Sequence, residues 1–494
     1  MSVAKKTFLG GSFLSVSEVV NQACAMVRNI ILARFLTKED FGIAALLALI
    51  LTLFEMTGKM ALSQQLIQSK YGDEPAYVDS IHFTQLVLGA VSSLLILMCA
   101  WPLAHFVTGP QYISSLLLLG LIPLINGLNH LEVYRRTRKL SYGPVVLAEM
   151  IPQVLTTVAA WPLTVYFKDY RAVLWLLLGK SLLSIVITHL LADRRFTPRY
   201  HRDWLIESLK FGWPLLLAGF IQMGNFQGDS MVVAARYTLA QLGEYSVALT
   251  MAMTPSVALL RISHSIALPL LSEVQGDLAK ITERYARYVE IMAFLSCAAT
   301  LGMLFCGEQV IILFYGTKYT GVGSLACLLT AAQGIRIIRG ATVGVTMAKS
   351  DTVNILMANV WRLSGLALAA LVGWLQASMA WFALTAFVGE VIALVFTTVK
   401  LHKQHAIPPM VTIKPTLLAT ICVLVAAILH RIVPIGTALW WNWPLLILAL
   451  ISGFAVFMFF LLPMRFACIG FILKLNTRLG SPLPQSWLSA NTQI

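Results

Sequence analysis

Arginine gives this chain its chemical specificity, because it stands inside apolar sequence. Gln333, Arg336 and Arg339 step by three along one face of an otherwise apolar stretch. A guanidinium at the centre of a membrane helix costs about 3 kcal/mol on insertion scales and more in simulation. Such groups form bidentate hydrogen bonds to phosphate or carboxylate. Arg28 shares a second stretch with Glu18, Asn21, Gln22 and Asn29, at helical spacings that put all five on one broad face. That face is either a polar seam between packed helices or the wall of a wet cavity.

Further polar groups follow the same pattern. Glu55 and Lys59 sit at i and i+4, the order that favours an ion pair. Gln222, Asn225, Asp229 and Arg236 form one helical stripe. Arg261 lies between Pro255 and Pro269, which can hinge or merely kink a helix. Asp229, Glu149 and Glu390 are isolated acids in apolar surroundings, where a carboxyl can hold a proton or an ion. Together with Glu55 they are the coupling candidates. Lys180 and Arg362 are single charges that could snorkel to an interface. Seven cations against five acids inside the apolar stretches favour an anion in the cavity.

The elements that must position these groups are membrane helices. The chain has 494 residues, 58% hydrophobic and 12% charged, against about 25% charge in a soluble domain. Its apolar runs are continuous, not alternating, which excludes a β-barrel. The predicted fold is all-α and integral to the membrane. Fourteen spans are expected, at 8–33, 41–68, 77–106, 113–134, 143–167, 172–192, 211–235, 243–272, 286–314, 320–348, 353–373, 378–400, 413–433 and 440–463. Lys5 and Lys6 precede a polar-studded segment without a small-x-small cleavage site, so it reads as the first span.

Of the 36 Lys and Arg residues, 22 fall beside the termini and the loops on their side, and only 7 on the other. The positive-inside rule then puts both termini in the cytoplasm and accounts for the net charge of +14 without nucleic acid. The widest loop, 193–210, ends in a stretch, Trp204 to Lys210, that could lie in the headgroups as an amphipathic helix.

The chain repeats itself. Ala33-Arg34-Phe35 with Phe41-Gly42 matches Ala235-Arg236-Tyr237 with Leu242-Gly243, and Gly72-Asp73 matches Gly276-Asp277, at offsets of 202 and 204. This predicts two parallel six-helix lobes about a central cavity, at 1–202 and 203–400, with a helix pair and cytoplasmic tail over 401–494.

Enzyme signatures are absent. No Walker, HExxH or GxSxG sequence occurs. His402 and His405 have no Cys or acid beside them in sequence, and the seven cysteines form no CxxC pair, so neither metal nor cofactor is expected.

Several short motifs, taken in order, resemble the Wzx-type polysaccharide exporters of the multidrug/oligosaccharidyl-lipid/polysaccharide flippase superfamily, in the colanic-acid-exporter branch. They are Leu32-Ala33-Arg34-Phe35-Leu36 with Phe41-Gly42, Leu66-Ile67-Gln68, Tyr134-Arg135-Arg136 to Tyr142-Gly143, Phe211-Gly212-Trp213-Pro214, Leu242-Gly243-Glu244-Tyr245 and Thr346-Met347-Ala348-Lys349. The resemblance implies an inner-membrane flippase that moves undecaprenyl-pyrophosphate-linked oligosaccharide outward by alternating access, driven by a proton, an ion or the membrane potential. It serves exopolysaccharide, capsule or O-antigen (lipopolysaccharide) synthesis, and membrane lipids and the polymerase machinery are its expected neighbours. The pyrophosphate would meet Arg28, Lys59, Arg261, Arg336 and Arg339. Sugar would meet Glu18, Asn21, Gln22, Asn29, Gln222, Asn225 and Gln333. The rival readings are a multidrug or small-solute antiporter of the same fold, and a membrane-embedded polysaccharide polymerase or ligase.

Overall fold

The computed structural model describes residues 3–59, 62–432 and 439–461, with backbone alone at some of them, Lys59 and 261–266 included. Among these residues there is no strand. Sixteen α-helices follow in order: α1 Val3–Phe35, α2 Lys38–Lys59, α3 Leu62–Gln68, α4 Pro75–Leu103, α5 Ile113–Gly127, α6 Glu132–Arg135, α7 Gly143–Phe167 and α8 Arg171–Leu190. The chain continues with α9 Arg202–Arg236, α10 Leu239–Ser272, α11 Leu278–Tyr315, α12 Val322–Ala348, α13 Thr352–Trp374, α14 Met379–His405, α15 Met410–Ile432 and α16 Leu439–Phe460.

Each expected span has its helix. Ten of the described helices are long and apolar enough to cross a membrane, and Pro444–Phe460 adds a shorter apolar stretch. Helices α1, α2 and α10 are comparably long and carry the polar residues discussed above.

Three local features differ from the sequence pattern. The fourth expected span stops early, because α5 ends at Gly127 and α6 is one separate turn. Gln85 of α4 causes this: its amide donates to the carbonyls of Asn126, Gly127 and Asn129, which a continuing helix would claim. The segment from Trp204 to Lys210 is no separate surface helix. It is the first part of α9, and Trp204 packs edge-on against Tyr77 at 5.5 Å. The second expected span is carried by α2 and α3 in turn.

The chain forms two compact units. The first comprises 1–254, 310–325 and 363–386; the second comprises 255–309, 326–362 and the chain from 387 onward. In the first unit small residues let helices meet closely, as lipid-embedded helices require. A methyl group on Gly89 of α4 would stand 2.7 Å from the Pro123 carbonyl oxygen of α5. Thr157 of α7 donates to the Cys24 carbonyl of α1 at 3.3 Å. In the second unit Tyr285, Val289, Ile337, Ala341 and Val345 form a buried apolar cluster, and the Tyr285 hydroxyl bonds to Thr412 at 2.6 Å.

Candidate functional site

The sequence predicts a polar face on α1, and the structure gives it two characters. Gln22 donates to Glu18 at 3.1 Å, one turn apart on an exposed surface. Arg28 is partly buried, and among the described residues no carboxylate pairs with it. Asn21 and Asn29 are also partly buried, and the Asn21 side-chain carbonyl has no hydrogen-bond donor. An arginine held in a membrane helix without a protein counter-ion is available to an anionic ligand.

In α2, Glu55 accepts from Asn126 of α5 at 2.5 Å. This contact ties the two helices together. The Lys59 side chain, and with it the expected ion pair, lies outside the described residues, as does the Arg261 side chain. The α9 stripe does not act as one surface. Asn225 is buried, Asp229 is partly buried, and Gln222 and Arg236 are exposed. The Arg236 guanidinium stacks on Trp374 at 4.6 Å. Glu149, on α7, is exposed on the surface of its unit and is not enclosed as an isolated buried acid would be.

The most concentrated charge is in the second unit. Glu390 of α14 receives three arginines: Arg336 Nε at 2.6 Å, Arg339 Nε at 3.1 Å and Arg362 Nε at 2.5 Å. Their side chains are at most 8% exposed, and that of Glu390 is 1% exposed. Gln333 is buried one turn away. Arg339 is nine residues from the end of α12, and Arg362 is ten residues into α13. At about 1.5 Å per residue this is roughly 15 Å deep, the middle of a ~30 Å hydrocarbon layer. Arg362, a snorkelling candidate in sequence, is therefore the third member of a buried cluster. No local signal could have joined it to Glu390, because the two are 28 residues apart on different helices.

The repeated motifs meet in the first unit. Gly42 of α2 and Gly243 of α10 face one another so closely that a methyl on Gly42 would stand 1.8 Å from the Leu239 carbonyl oxygen. A methyl on Gly243 would stand 2.4 Å from that of Lys38. Around this crossing Lys38 pairs with Glu244 at 2.5 Å, and Arg34 donates to the Leu313 carbonyl at 2.7 Å. Lys318 donates to the carbonyls of Arg34 and Leu36. Burial, then Lys38, hold the Lys318 ammonium below its ordinary pKa.

The other repeat has diverged. Gly72 leaves room for Arg138, whose Nη1 donates to the carbonyls of Leu66, Ile67 and Ser69 at the end of α3. Asp73 accepts from Arg135 at 2.9 Å, and Arg135 also engages the buried Glu132. In the second copy Gly276 meets nothing within 4 Å, and Asp277 caps the amides of Ala279 and Lys280.

Among the described residues no group of three or more His, Cys, Asp or Glu is placed to hold a metal. His405, without an acid beside it in sequence, has one in space: its Nε2 lies 3.2 Å from Asp351.

Comparison with known proteins adds three findings. A family model described as "Polysaccharide biosynthesis protein" matches residues 31–323. Among curated relatives, the amylovoran biosynthesis protein AmsL of Erwinia amylovora is 24% identical over 324 residues, covering 64% of this chain and 82% of that one. The succinoglycan biosynthesis transport protein ExoT of Rhizobium meliloti (strain 1021) is 22% identical over 310 residues, 62% of each chain. Among solved structures, the lipid II flippase MurJ in an inward closed conformation superposes with a TM-score of 0.69 at 15% identity. That match covers 91% of this chain and 99% of the other, and it establishes a shared fold.

Proposed function

The chain belongs to the polysaccharide biosynthesis protein family, and on that premise we propose that it flips a lipid-linked oligosaccharide across the bacterial inner membrane. The cargo head is a sugar chain on a diphosphate, of the undecaprenyl-pyrophosphate type. It moves from the cytoplasmic to the outer leaflet as two six-helix halves, 1–202 and 203–400, alternate in access. Both termini are cytoplasmic on the Lys and Arg distribution. The product supplies polysaccharide polymerase machinery on the outer side.

The observation that carries the reading is Arg28. It is a partly buried cation in a membrane helix, flanked by amide side chains, and among the described residues it has no carboxylate partner. A diphosphate supplies the missing counter-charge, and Asn21, Gln22 and Asn29 offer hydrogen bonds to sugar hydroxyls. Lys59, in the same unit, is assigned to the same anion. In the second unit Arg336 and Arg339 bind an anion only after exchange of Glu390, because that carboxylate holds them here. Resetting the empty protein uses a proton, an ion or the membrane potential, which supplies about 2.3 kcal/mol per charge per 100 mV.

The test is translocation of lipid-linked oligosaccharide in proteoliposomes. Wild type is compared with Arg28→Ala and with the pair Arg336→Ala plus Arg339→Ala, with folding verified for each. Wild-type translocation lost in a folded Arg28→Ala protein supports the assignment. A wild type that moves no lipid-linked sugar across a panel of carriers overturns the flippase reading.

A further inference from the structure

Three histidines that the polar cavity does not use form a cluster in the first unit. His82 of α4, His130 in the link between α5 and α6, and His189 of α8 stand in a row. Ring centroids are 4.7 Å apart for His82 and His130 and 5.3 Å for His130 and His189, with Phe196 against all three. His82 and His130 are each 1% exposed, while His189 is exposed.

Backbone donors fix the protonation of the two buried rings. The Leu131 amide donates to His82 Nε2 at 3.1 Å, and the Glu132 amide donates to His130 Nδ1 at 3.2 Å. An amide can only donate, so both ring nitrogens are bare and both rings are neutral. The His130 proton therefore sits on Nε2, which donates to the Arg194 carbonyl at 3.0 Å. The His82 proton sits on Nδ1, which is buried without a partner. Adding a proton to either ring puts hydrogen against hydrogen and breaks the bond that holds Leu131 or Glu132.

The next residues carry the latch of this corner. Glu132 and Arg135 lie on α6, and Arg135 reaches Asp73 in the turn before α4. We infer that His82, His130 and His189 form a proton-binding site whose occupation releases the link 129–135 from α4 and loosens the latch from Arg135 to Asp73. His189 is the exposed entry point. The charged groups facing the site are few. Glu132 is engaged by Arg135, Arg194 presents its carbonyl, and Asp79 of α4 accepts from Thr197 and pairs with Arg199. Burial, then His189, hold His130 below its ordinary value. A ring whose folded value is depressed is neutral when folded and binds protons more readily when released. The link therefore loses stability as pH falls below about 6.5. The site is independent of the cargo. On the cytoplasmic assignment proposed above, it reads proton concentration on the side where cargo loads.

The experiment uses the full chain in nanodiscs with nitrogen-15 histidine, titrated from about pH 8 to about pH 5. At neutral pH His82 should show the Nδ1–H form and His130 the Nε2–H form. On acidification the His130 ring, next to the exposed His189, should become doubly protonated first. In step, amide hydrogen exchange at Leu131 and Glu132, corrected for the intrinsic rate, should rise about tenfold or more per pH unit of titration. The variant His82→Gln plus His130→Asn keeps an acceptor oxygen at each position and cannot take the proton, so its exchange should be flat. A His130 ring that stays neutral to pH 5, exchange in wild type that does not respond, or an unchanged response in the variant would each overturn the inference. If the variant does not fold, the wild-type titration decides alone.

Discussion

Gly42 and Gly243, equivalent residues of an internal repeat, lie against each other, with the Gly42 amide 3.3 Å from where a Gly243 methyl would be. Each glycine receives the first turn of the other's helix: Gly42 meets the Leu239 carbonyl, and Gly243 meets that of Lys38. The match seen along the sequence is thus a reciprocal contact in space. It places Lys38 beside Glu244 and brings the two repeated turns within one hydrogen-bonded frame.

Alanine at either glycine forces backbone, not a side chain, to move. Gly42→Ala should destabilise the protein by about 3 kcal/mol, the upper range for overpacking. Thermal unfolding in detergent measures it, and a melting temperature equal to wild type would contradict the crossing.

The pair Gly72 and Gly276 gives a sharper comparison, since both occupy one motif. Gly72→Ala drives a methyl to 2.4 Å from the Leu66 carbonyl oxygen and 2.5 Å from Arg138, whereas Gly276→Ala meets nothing within 4 Å. The first should cost about 1–3 kcal/mol and the second stay within about 0.5 kcal/mol. Equal effects would mean that the two copies have not diverged.

Glu390 bonds Arg336, Arg339 and Arg362 at once. Glu390→Gln leaves buried cations without that charge and should cost about 3–5 kcal/mol. Arg362→Met removes one of three cations and should cost less. A stability assay that ranks the two in the opposite order would show that Glu390 does not neutralise the cluster.

Asp73 sets a pH dependence. Burial raises its carboxyl, but the hydrogen bond from Arg135 and the charges of Arg138, Arg135 and Lys139 outweigh it, so the value lies below the ordinary one. The stability this contributes is present above about pH 4 and is lost as pH falls through the depressed value. Melting temperatures measured from about pH 6 down to about pH 3 should fall less steeply in Asp73→Asn than in wild type. Parallel curves would rule the contribution out.

Composition and hydropathy are enough to say what the solvent is. Continuous apolar runs require membrane helices, and each of the fourteen expected spans has a helix at its place. The repeat was legible too, because Ala-Arg-aromatic followed by glycine recurs at an offset of 202. Periodicity also marked Arg336 and Arg339 as facing something other than lipid.

What those groups face is set by the packing of helices distant in the chain. Periodicity assigns a residue to a face of its own helix and says nothing of the neighbouring helix. Arg362 and Glu390 thus looked like separate charges until α12, α13 and α14 packed together. The same packing distinguishes arginines held by a carboxylate from Arg28, which has none among the described residues. The histidines at 82, 130 and 189 carry no mutual spacing, and only the packing of α4 and α8 against α5, which ends just before His130, makes them neighbours. Helix formation is local and can be read from sequence, whereas pairing of charges across helices is a long-range contact fixed by packing.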